Sequence, residues 1–283
     1  MLDRNQQCDA ILLDFEKAFD KVPHSRLIHK LHSVGINDKT IQWITSFLRN
    51  RTQQVIIEGA KSDISNVTSG VPQGSVLRPT LFLIYINDIS DGLESTIRLF
   101  ADDTIIYRCI ESQNDVTTLQ EDLHKLENWE NKWLMSFNTS KCQHLPITNK
   151  RNPIKSDYSL HNQRLETVKD AKYLGVNLNE KLNWSNHIDN ICKKANASSA
   201  FICRNLRGTS RSTKRTAFVT ISRPVLEFAS ACWDPASSVL TDKIEMVQRR
   251  TARRIYSNFN KDCSPSALLK DLDLSRQDVK QAK

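Results

Sequence analysis

The sequence predicts an α+β fold followed by a helical, basic region. Short apolar runs, such as residues 10–15 and 104–107, are typical of buried strands. Between residues 114 and 133, apolar side chains recur at helical spacing along one side, which predicts an amphipathic helix. Beyond Trp184 the pattern is helical, and residues 193–254 contain 13 Lys and Arg against 4 Asp and Glu.

Composition limits the class of protein. The chain has 283 residues, enough for one large domain or two modest ones. The longest apolar run, residues 81–86, is far too short to cross a membrane, and the first residues lack the apolar core of a signal peptide. The 7 Cys form no Cys-x-x-Cys pair, which favours reduced thiols inside a cell. We therefore expect an intracellular protein, nuclear or cytoplasmic or both, that is not secreted and has no membrane partner.

Charge is distributed unevenly along the chain, whose net charge is +8. Residues 1–140 contain 14 Lys and Arg and 19 Asp and Glu, whereas residues 141–283 contain 26 and 13. The basic second half should attract a polyanion, most commonly nucleic acid, although charge alone is equally consistent with a merely soluble basic surface. The candidate nucleic-acid-binding residues fall on one side of a predicted helix and are Arg249, Arg250, Arg253 and Arg254.

The first elements combine short strands with amphipathic helices. Residues 10–15 predict a strand with Asp14 near its end. Ser25 is a candidate N-cap for a helix that Gly35 ends. The other elements expected before residue 70 are, in order, a helix through residues 41–48, a strand at residues 54–58 and a polar loop or edge strand at residues 61–69.

A loop shaped by two Gly and one Pro, residues 69–75, leads into an apolar helix predicted over residues 76–89. Asp102 and Asp103 then lie between two apolar runs, which predicts a β-hairpin. The later elements expected are a long helix capped by Asn114 or Asp115, a strand at residues 141–148, a polar boundary at residues 149–163 and a strand at residues 172–178 with Gly175 inside it.

The Asp102-Asp103 pair is a candidate metal site. Asp is a common turn residue, so the pair alone favours ordinary turn chemistry. If Asp14 lies on a neighbouring strand, however, three carboxylates converge with no basic residue between them. Such a cluster is costly unless cations occupy it, and two Mg²⁺ ions, or Mn²⁺ instead, would neutralise it and support phosphoryl transfer. If Asp14 and Asp102 are far apart, the chain is better interpreted as a structural helical protein.

Several segments resemble the motifs of reverse transcriptases. The palm motifs match, in order, LLDFEKAFDKV from residue 12, SGVPQGSVL from residue 69 and FADDTIIY from residue 100. The family's next motif and its primer grip resemble FNTSKC from residue 137 and YLGVNLNEKLNW from residue 173. The resemblance covers most of the chain and is to jockey-like non-LTR retrotransposons. It implies a right-hand polymerase palm, an antiparallel sheet with helices packed on it, followed by a helical, basic thumb-like region.

The resemblance also implies roles for individual residues. Asp14 and Asp102 match the two metal-holding aspartates and Asp103 matches their neighbour, so these three are the expected catalytic residues. Phe19 matches the bulky side chain that sits under the incoming sugar and excludes a 2′-hydroxyl. Without the motif, Phe19 would be interpreted as an ordinary core residue.

Three further residues match nucleotide-binding positions of the family. Gln73, with the backbone of Gly74, matches the loop that packs on the incoming nucleotide and template. Lys141 matches a lysine near the triphosphate that can protonate the leaving pyrophosphate. Gln73 otherwise only completes a turn, and Lys141 is otherwise a solvated lysine. The implied partners are an RNA template, a DNA primer, deoxynucleoside triphosphates and an element-encoded RNA-binding protein.

The expected organisation is a palm over residues 1–150, a primer-grip-like connection over residues 151–190 and a thumb-like region over residues 191–283. Arg78 departs from the family pattern, which has small or apolar residues after the loop. Only 13 residues precede Asp14, so we expect the upstream fingers and endonuclease of the family to be missing. The expected function is RNA-directed DNA polymerase, with weak or no activity in this isolated chain. The alternative is a truncated remnant that binds nucleic acid without polymerising.

Overall fold

The computed structural model describes residues 6–235, 237–257, 260 and 264–274. The chain divides into two units, residues 1–174 and residues 175–283. This division falls within the segment expected to be a connection, residues 151–190. The assignment of palm, connection and thumb-like functions to parts of the chain stays a prediction.

The first unit combines a sheet with helices and several short hairpin strands. Its elements, in chain order, are β1 (Gln7–Asp14), α1 (Ala18–Lys21), α2 (His24–Ser33), α3 (Asp38–Leu48), β2 (Arg51–Gln53), β3 (Ile56–Ile57), β4 (Ala60–Lys61), β5 (Ser65–Val67), α4 (Leu77–Ile86), β6 (Thr96–Phe100), β7 (Asp103–Ile110), α5 (Gln113–Trp133), β8 (Gln143–Thr148), β9 (Ser159–Leu160), β10 (Gln163–Arg164), β11 (Glu166–Thr167) and β12 (Asp170–Tyr173).

β1 lies at the centre of a five-stranded sheet with the order β11-β8-β1-β7-β6. The strands pair antiparallel except for β11, which pairs parallel with β8 at one edge. The first five residues of β1 are all buried, so both faces of the strand are covered. The apolar run starts only at Ala10, because Gln7 and Asp9 are buried polar residues of the same strand. Buried side chains of α2, α3, α4 and α5 complete the core of this unit.

Two helix starts differ from the sequence prediction. α2 begins at His24 with Pro23 at its N-cap, so Ser25 lies inside the first turn and is not the cap. α5 begins one residue after Ser112, not at Asn114 or Asp115. The Asp115 carboxylate accepts hydrogen bonds from the Ser112 backbone N–H and hydroxyl, both at 3.0 Å. Asp115 therefore fixes the start of α5 from within the helix, as the third residue of a capping box does.

Three predicted elements have different bounds. The strand expected at residues 54–58 is wrong, because β2 and β3 lie on either side of Gln54 and Val55 and pair with different partners, β5 and β4. The apolar helix ends at Ile86 and not at residue 89. The single strand expected at residues 172–178 is interrupted at Leu174 and Gly175, whose φ angles of 46° and 84° are incompatible with an extended strand.

Lys30 is a buried cation that links three helices. Its side chain is almost fully buried, and its ammonium group donates to the Asp88 carboxylate and to the backbone carbonyl of Tyr85. The ammonium nitrogen lies 3.8 Å from the centroid of the Trp133 ring, within the range of a cation–π interaction. Burial lowers the pKa of Lys30, and the hydrogen bond with Asp88 opposes that shift. This cluster fastens α2 to the ends of α4 and α5.

Where the structure describes it, the second unit is helical apart from one short strand. Its elements, in chain order, are β13 (Val176–Asn179), α6 (Ser185–Asn205), α7 (Arg211–Ala217), a π-helical turn (Phe218–Ser222), α8 (Arg223–Glu227), α9 (Ser230–Trp233), α10 (Ser238–Tyr256) and α11 (Pro265–Asp271).

α6 and α10 form the main helix pair of this unit. The buried hydroxyls of Ser199 and Thr251 lie 2.7 Å apart between them. Nearer the start of both helices, the Lys243 ammonium lies 2.7 Å from Asp189. The two helices therefore run in the same direction. In the part of the chain that is described, no helix is both long and apolar enough to cross a bilayer.

A buried polar network ties the segment after β8 to the central strand. Asp9 of β1 is fully buried and accepts hydrogen bonds from Gln7 at 3.0 Å, Ser156 at 2.5 Å and Tyr158 at 2.9 Å. Burial alone would raise the pKa of Asp9, but hydrogen bonds from His144, Ser156 and Gln7 outweigh it and hold the pKa below its ordinary value. The polar segment at residues 149–163 is thus packed on the sheet.

We expect Asp9→Asn to destabilise the first unit by about 1–3 kcal/mol at pH 7, because buried donors lose a charged acceptor. The depressed pKa stabilises the folded state above the unfolded-state pKa of about 4, and this contribution disappears as pH falls through the lower folded-state value. The urea midpoint of the wild-type chain should therefore fall below about pH 4, and Asp9→Asn should lose this part of the pH dependence.

Asp157→Asn is the matched control, because Asp157 lies in the same segment with an exposed side chain that pairs only with Arg164 among the described residues. Its effect should stay within about 0.5 kcal/mol. Equal destabilisation by the two substitutions would contradict the role assigned to the buried network.

Candidate active site

Strand pairing brings the predicted carboxylates to one end of the sheet. Asp14 is the last residue of β1, Asp103 is the first residue of β7, and the two are direct partners in the antiparallel register. Phe100 pairs with Asp103, so the β6–β7 turn consists of Ala101 and Asp102. Ala101 has a φ of 52°, which lets the chain reverse over two residues. The expectation that the strands bearing Asp14 and Asp102 are neighbours is therefore correct.

The carboxylates lie close enough to influence one another. Loss of hydration raises the pKa of Asp103 above its ordinary value, and repulsion from Asp102 and Asp14 adds to the rise. Lys141 provides a counter-charge that the carboxylate argument from sequence did not include. Its Nζ lies 3.0 Å from Oδ2 of Asp14. The hydrogen bond to Asp14 and the negative charge of Asp14 and Asp102 raise the pKa of Lys141.

The donor chemistry of this site fits a divalent cation. Asp14, Asp102 and Asp103 offer only hard carboxylate oxygens, which Mg²⁺ and Mn²⁺ prefer, and their mutual repulsion would be relieved by a cation. Over the described ranges, no three His, Cys, Asp or Glu side chains are already arranged to hold a metal ion. Lys141 takes one oxygen of Asp14 in this arrangement. A metal bound through that oxygen would displace the ammonium group.

Phe19 lies on α1, in the turn that follows β1, and is half-buried. Its ring packs on Phe82 with centroids 4.4 Å apart, and the guanidinium carbon of Arg78 lies 4.4 Å from the centroid of the Phe19 ring. Arg78, the residue that departs from the family pattern, also lies 4.0 Å from the Asp20 carboxylate. The structure therefore accommodates Arg78, whose guanidinium group lies over the Phe19 ring and near a carboxylate.

The glycine loop at residues 69–75 is bound to the same turn. The backbone N–H of Gly70 donates to the Val22 carbonyl and that of Val71 to the Phe19 carbonyl, both at 2.8 Å. Gln73 is exposed, and its side-chain amide lies 3.4 Å from the Asp20 carboxylate. The structure thus brings Phe19 and Gln73 to adjacent segments.

A cleft of about 640 Å³ lies between the α1 turn, the glycine loop and the β2–β5 hairpin. Lys17 and Arg51 line it together with Gln73. Sequence reasoning missed both cations. Lys17 was available as a signal because it lies within the first motif, but Arg51 reaches the cleft only through the pairing of β2 with β5. Asp20 also lines the cleft, so its wall carries two cations against one carboxylate and has a net positive charge.

The four arginines near the end of α10 do not form a uniform free surface. Arg249 pairs with Glu245 at 3.0 Å, and Arg250 contacts the Met246 sulfur at 3.2 Å. Nη1 of Arg254 donates to the Asn196 carbonyl at 3.3 Å. Arg253 is half-buried, and its Nε has no hydrogen-bond partner among the residues described. Their joint role in binding nucleic acid stays a prediction.

Gly70 and Gly74 provide a matched test of the loop. A Cβ on Gly70 would lie 2.7 Å from the Asp20 carbonyl oxygen, and its φ is +87°. We expect Gly70→Ala to destabilise the first unit by about 2–4 kcal/mol, because steric overlap adds to left-handed strain. Gly74 has a similar φ of +78° but nothing within 4 Å of the added Cβ. Gly74→Ala should therefore cost only about 1–2 kcal/mol in urea unfolding. Equal costs would show that close packing on Asp20 is unimportant.

Comparisons with known proteins agree with this geometry. Residues 1–178 match the family described as "Reverse transcriptase (RNA-dependent DNA polymerase)". The RNA-directed DNA polymerase from mobile element jockey of Drosophila melanogaster is 30% identical over 268 residues, covering 90% of this chain and 29% of that protein. The probable RNA-directed DNA polymerase from transposon X-element of the same organism is 29% identical over 262 residues, covering 89% of this chain and 29% of that protein.

Among solved structures, apo telomerase from Candida tropicalis aligns with 96% of this chain and 50% of that chain, at 13% identity and a TM-score of 0.47. The chain spans about 29% of the length of the curated relatives it matches. The match over residues 1–178, together with 30% identity to the jockey polymerase, shows that the chain belongs to the reverse transcriptase family and is similar to the jockey-like non-LTR members of it.

Proposed function

We propose that the chain is a catalytic part of an RNA-directed DNA polymerase. It would extend a DNA primer by deoxynucleotides along an RNA template. The observation that carries the proposal is the direct pairing of Asp14 with Asp103 beside the Asp102 turn, in a chain of the reverse transcriptase family. In the reaction, a bond forms between the primer 3′-oxygen and the α-phosphorus, the bond from that phosphorus to the bridging oxygen breaks, and pyrophosphate leaves.

The proposal also gives each unit a role. The sheet and its helices in residues 1–174 would act as the palm, because they hold the carboxylates. The helices after residue 190 would act as the thumb-like region that holds template and primer, and residues 151–190 would connect the two. The excess of Lys and Arg over residues 193–254 supports this role, since contacts to phosphates bind nucleic acid with little sequence preference.

Asp14 and Asp102 would hold two Mg²⁺ ions, with Mn²⁺ as a substitute, and Asp103 would support them through its charge. Bound metal would make the primer hydroxyl more acidic and neutralise the charge of the leaving group. Lys141 would first leave Asp14 and then lie near the triphosphate. Asp14 raises the pKa of Lys141 only while the two are paired. Away from Asp14, an ordinary lysine is still protonated at neutral pH, so it has a proton to give to the leaving pyrophosphate.

The Phe19 ring, fixed between Phe82 and Arg78, would lie beneath the incoming sugar and exclude a 2′-hydroxyl. Gln73 and the backbone of Gly74 would pack on the incoming nucleotide and the template. Lys17 and Arg51, which line the cleft together with Gln73, would attract the phosphates of the incoming nucleotide. An element-encoded RNA-binding protein is a further proposed partner, and polymerisation on host DNA would require access to the nucleus.

Primer extension on an RNA template with Mg²⁺ tests the proposed activity. Asp102→Asn should lower synthesis by about 100-fold or more, because it removes a metal ligand worth several kcal/mol in the transition state. Asp157→Asn, an exposed carboxylate of the same unit, should leave synthesis unchanged. If both variants extend the primer as well as the wild-type chain, the site is not catalytic. If the wild-type chain binds the template–primer but never extends it, the chain acts only as a nucleic-acid-binding remnant.

Phe19→Val should raise incorporation of ribonucleotides relative to deoxynucleotides by about 10-fold or more, because a smaller side chain leaves room for the 2′-hydroxyl. Single-nucleotide extension with each nucleotide type measures the ratio. The matched control is Phe47→Val, which shortens a half-buried aromatic residue of α3 outside the cleft. An unchanged ratio in Phe19→Val, with deoxynucleotide incorporation retained, would show that another group contacts the sugar.

A further inference from the structure

The second unit contains a cavity whose wall is rich in basic side chains. Its volume is about 580 Å³, and four of the side chains that line it are basic: Arg204, Arg207, Lys214 and Arg254. The remaining lining residues are Ala, Cys and Ser, so no acidic side chain contributes to the wall among the residues that the structure describes. Only Arg254 of this group belongs to the arginine set predicted from the sequence.

Within residues 6–235, 237–257, 260 and 264–274, none of the four basic side chains of the cavity forms an ion pair. Lys214 has an exposed fraction of only 8%, yet its ammonium group donates only to the backbone carbonyl of Arg207, at 3.3 Å, within the described part of the chain. Arg254 likewise donates to a backbone carbonyl, that of Asn196. No described carboxylate lies within 4.0 Å of any of the four basic groups. A buried ammonium group without an anionic partner is costly.

Helix ends account for part of this charge. α6 ends at Asn205 and α10 ends at Tyr256, so both carboxyl ends lie beside the cavity. Each end carries about half a negative charge. Two ends therefore offset roughly one of the four positive charges, and roughly three remain. A ligand with two negative charges would still be attracted.

We propose that this cavity binds a phosphate group of a nucleic-acid strand and so anchors the strand to the second unit. Arg204 and Arg207 would grip the phosphate through their planar guanidinium groups, and Lys214 would supply a point charge from the cavity wall. The inference rests on the proposed function, because it takes the polyanion to be nucleic acid. Residues 193–254 also carry an excess of basic side chains outside the cavity. This favours a nucleic-acid strand over a free phosphate ion, because the other phosphates of the strand can interact with those side chains.

Cys203 offers a reporter inside the cavity. Burial raises the pKa of its thiol, whereas the positive charges of Arg254 and Lys214 act to lower it. Both cations therefore lie near the sulfur. A phosphate bound between them should block access of a maleimide to Cys203.

The first measurement is binding of a short fluorescein-labelled RNA–DNA hybrid to the full chain by anisotropy over a range of salt concentrations. The double variant Arg204→Gln/Arg207→Gln changes two exposed side chains and should fold normally. We expect weaker binding and a plot of log K against log salt that is shallower by about one unit, since one phosphate contact is lost. Lys39→Gln removes an exposed charge of the first unit. Lys39 does not line the cavity and has no proposed contact with nucleic acid, so this variant should keep the wild-type slope.

An unchanged slope in the double variant overturns the proposal. So does an equal change in Lys39→Gln, because the effect would then reflect general charge. Asp102→Asn should lose primer extension and keep the wild-type slope. Failure of the polymerase proposal and failure of the phosphate anchor are therefore separate results.

The second measurement identifies the source of the phosphate. Maleimide labelling of Cys203 is followed by mass spectrometry, with Cys203→Ser as the control for assignment. The unlabelled hybrid should protect Cys203 at concentrations where inorganic phosphate does not. Protection by inorganic phosphate at the same or lower concentration would assign the cavity to a free ion, and absence of protection by either would show that it binds no phosphate. Both outcomes contradict the proposal.

Discussion

The register between β1 and β7 is the constraint on which the candidate active site depends. It sets Asp14 opposite Asp103, and the two-residue turn then places Asp102 beside them. A slip by one residue would turn every side chain of a strand to the other face of the sheet. Pairing of β8 on the other side of β1 makes such a slip costly, since both ladders would have to shift together. The register is therefore both a folding constraint and a functional one.

The glycine-loop side of the candidate site is held largely by backbone contacts. The loop at residues 69–75 is held to the α1 turn by main-chain hydrogen bonds, and Gly70 touches the backbone of Asp20. The Gln73 side chain can therefore change its contacts while the backbone of the loop stays in place. Arg78 shows how a departure from a family pattern is accommodated, because its guanidinium group gains both an aromatic face and a nearby carboxylate.

Much of the first unit could be predicted from sequence, because its signals are local: apolar runs for β1 and β7, helical spacing for α5, and Asp-Asp between two strands. Contacts across long sequence separations could not. Lys30 finds Asp88 and an aromatic ring of Trp133 only in the folded chain, and the partners of Arg249 and Arg254 depend on helix rotation and packing. Ser112 was missed for a local reason, since Asn114 and Asp115 are equally good capping residues.

The ion pair between Lys141 and Asp14 affects the stability of the carboxylate cluster in the absence of metal and substrate. A cluster of carboxylates that relied on metal alone would couple folding of the domain to metal supply, as in small zinc domains. Here an internal ammonium group partly neutralises the cluster, and the surrounding sheet has a large apolar core of its own. The apolar core and this ion pair do not need a bound ion, so folding of the first unit should not depend on metal supply.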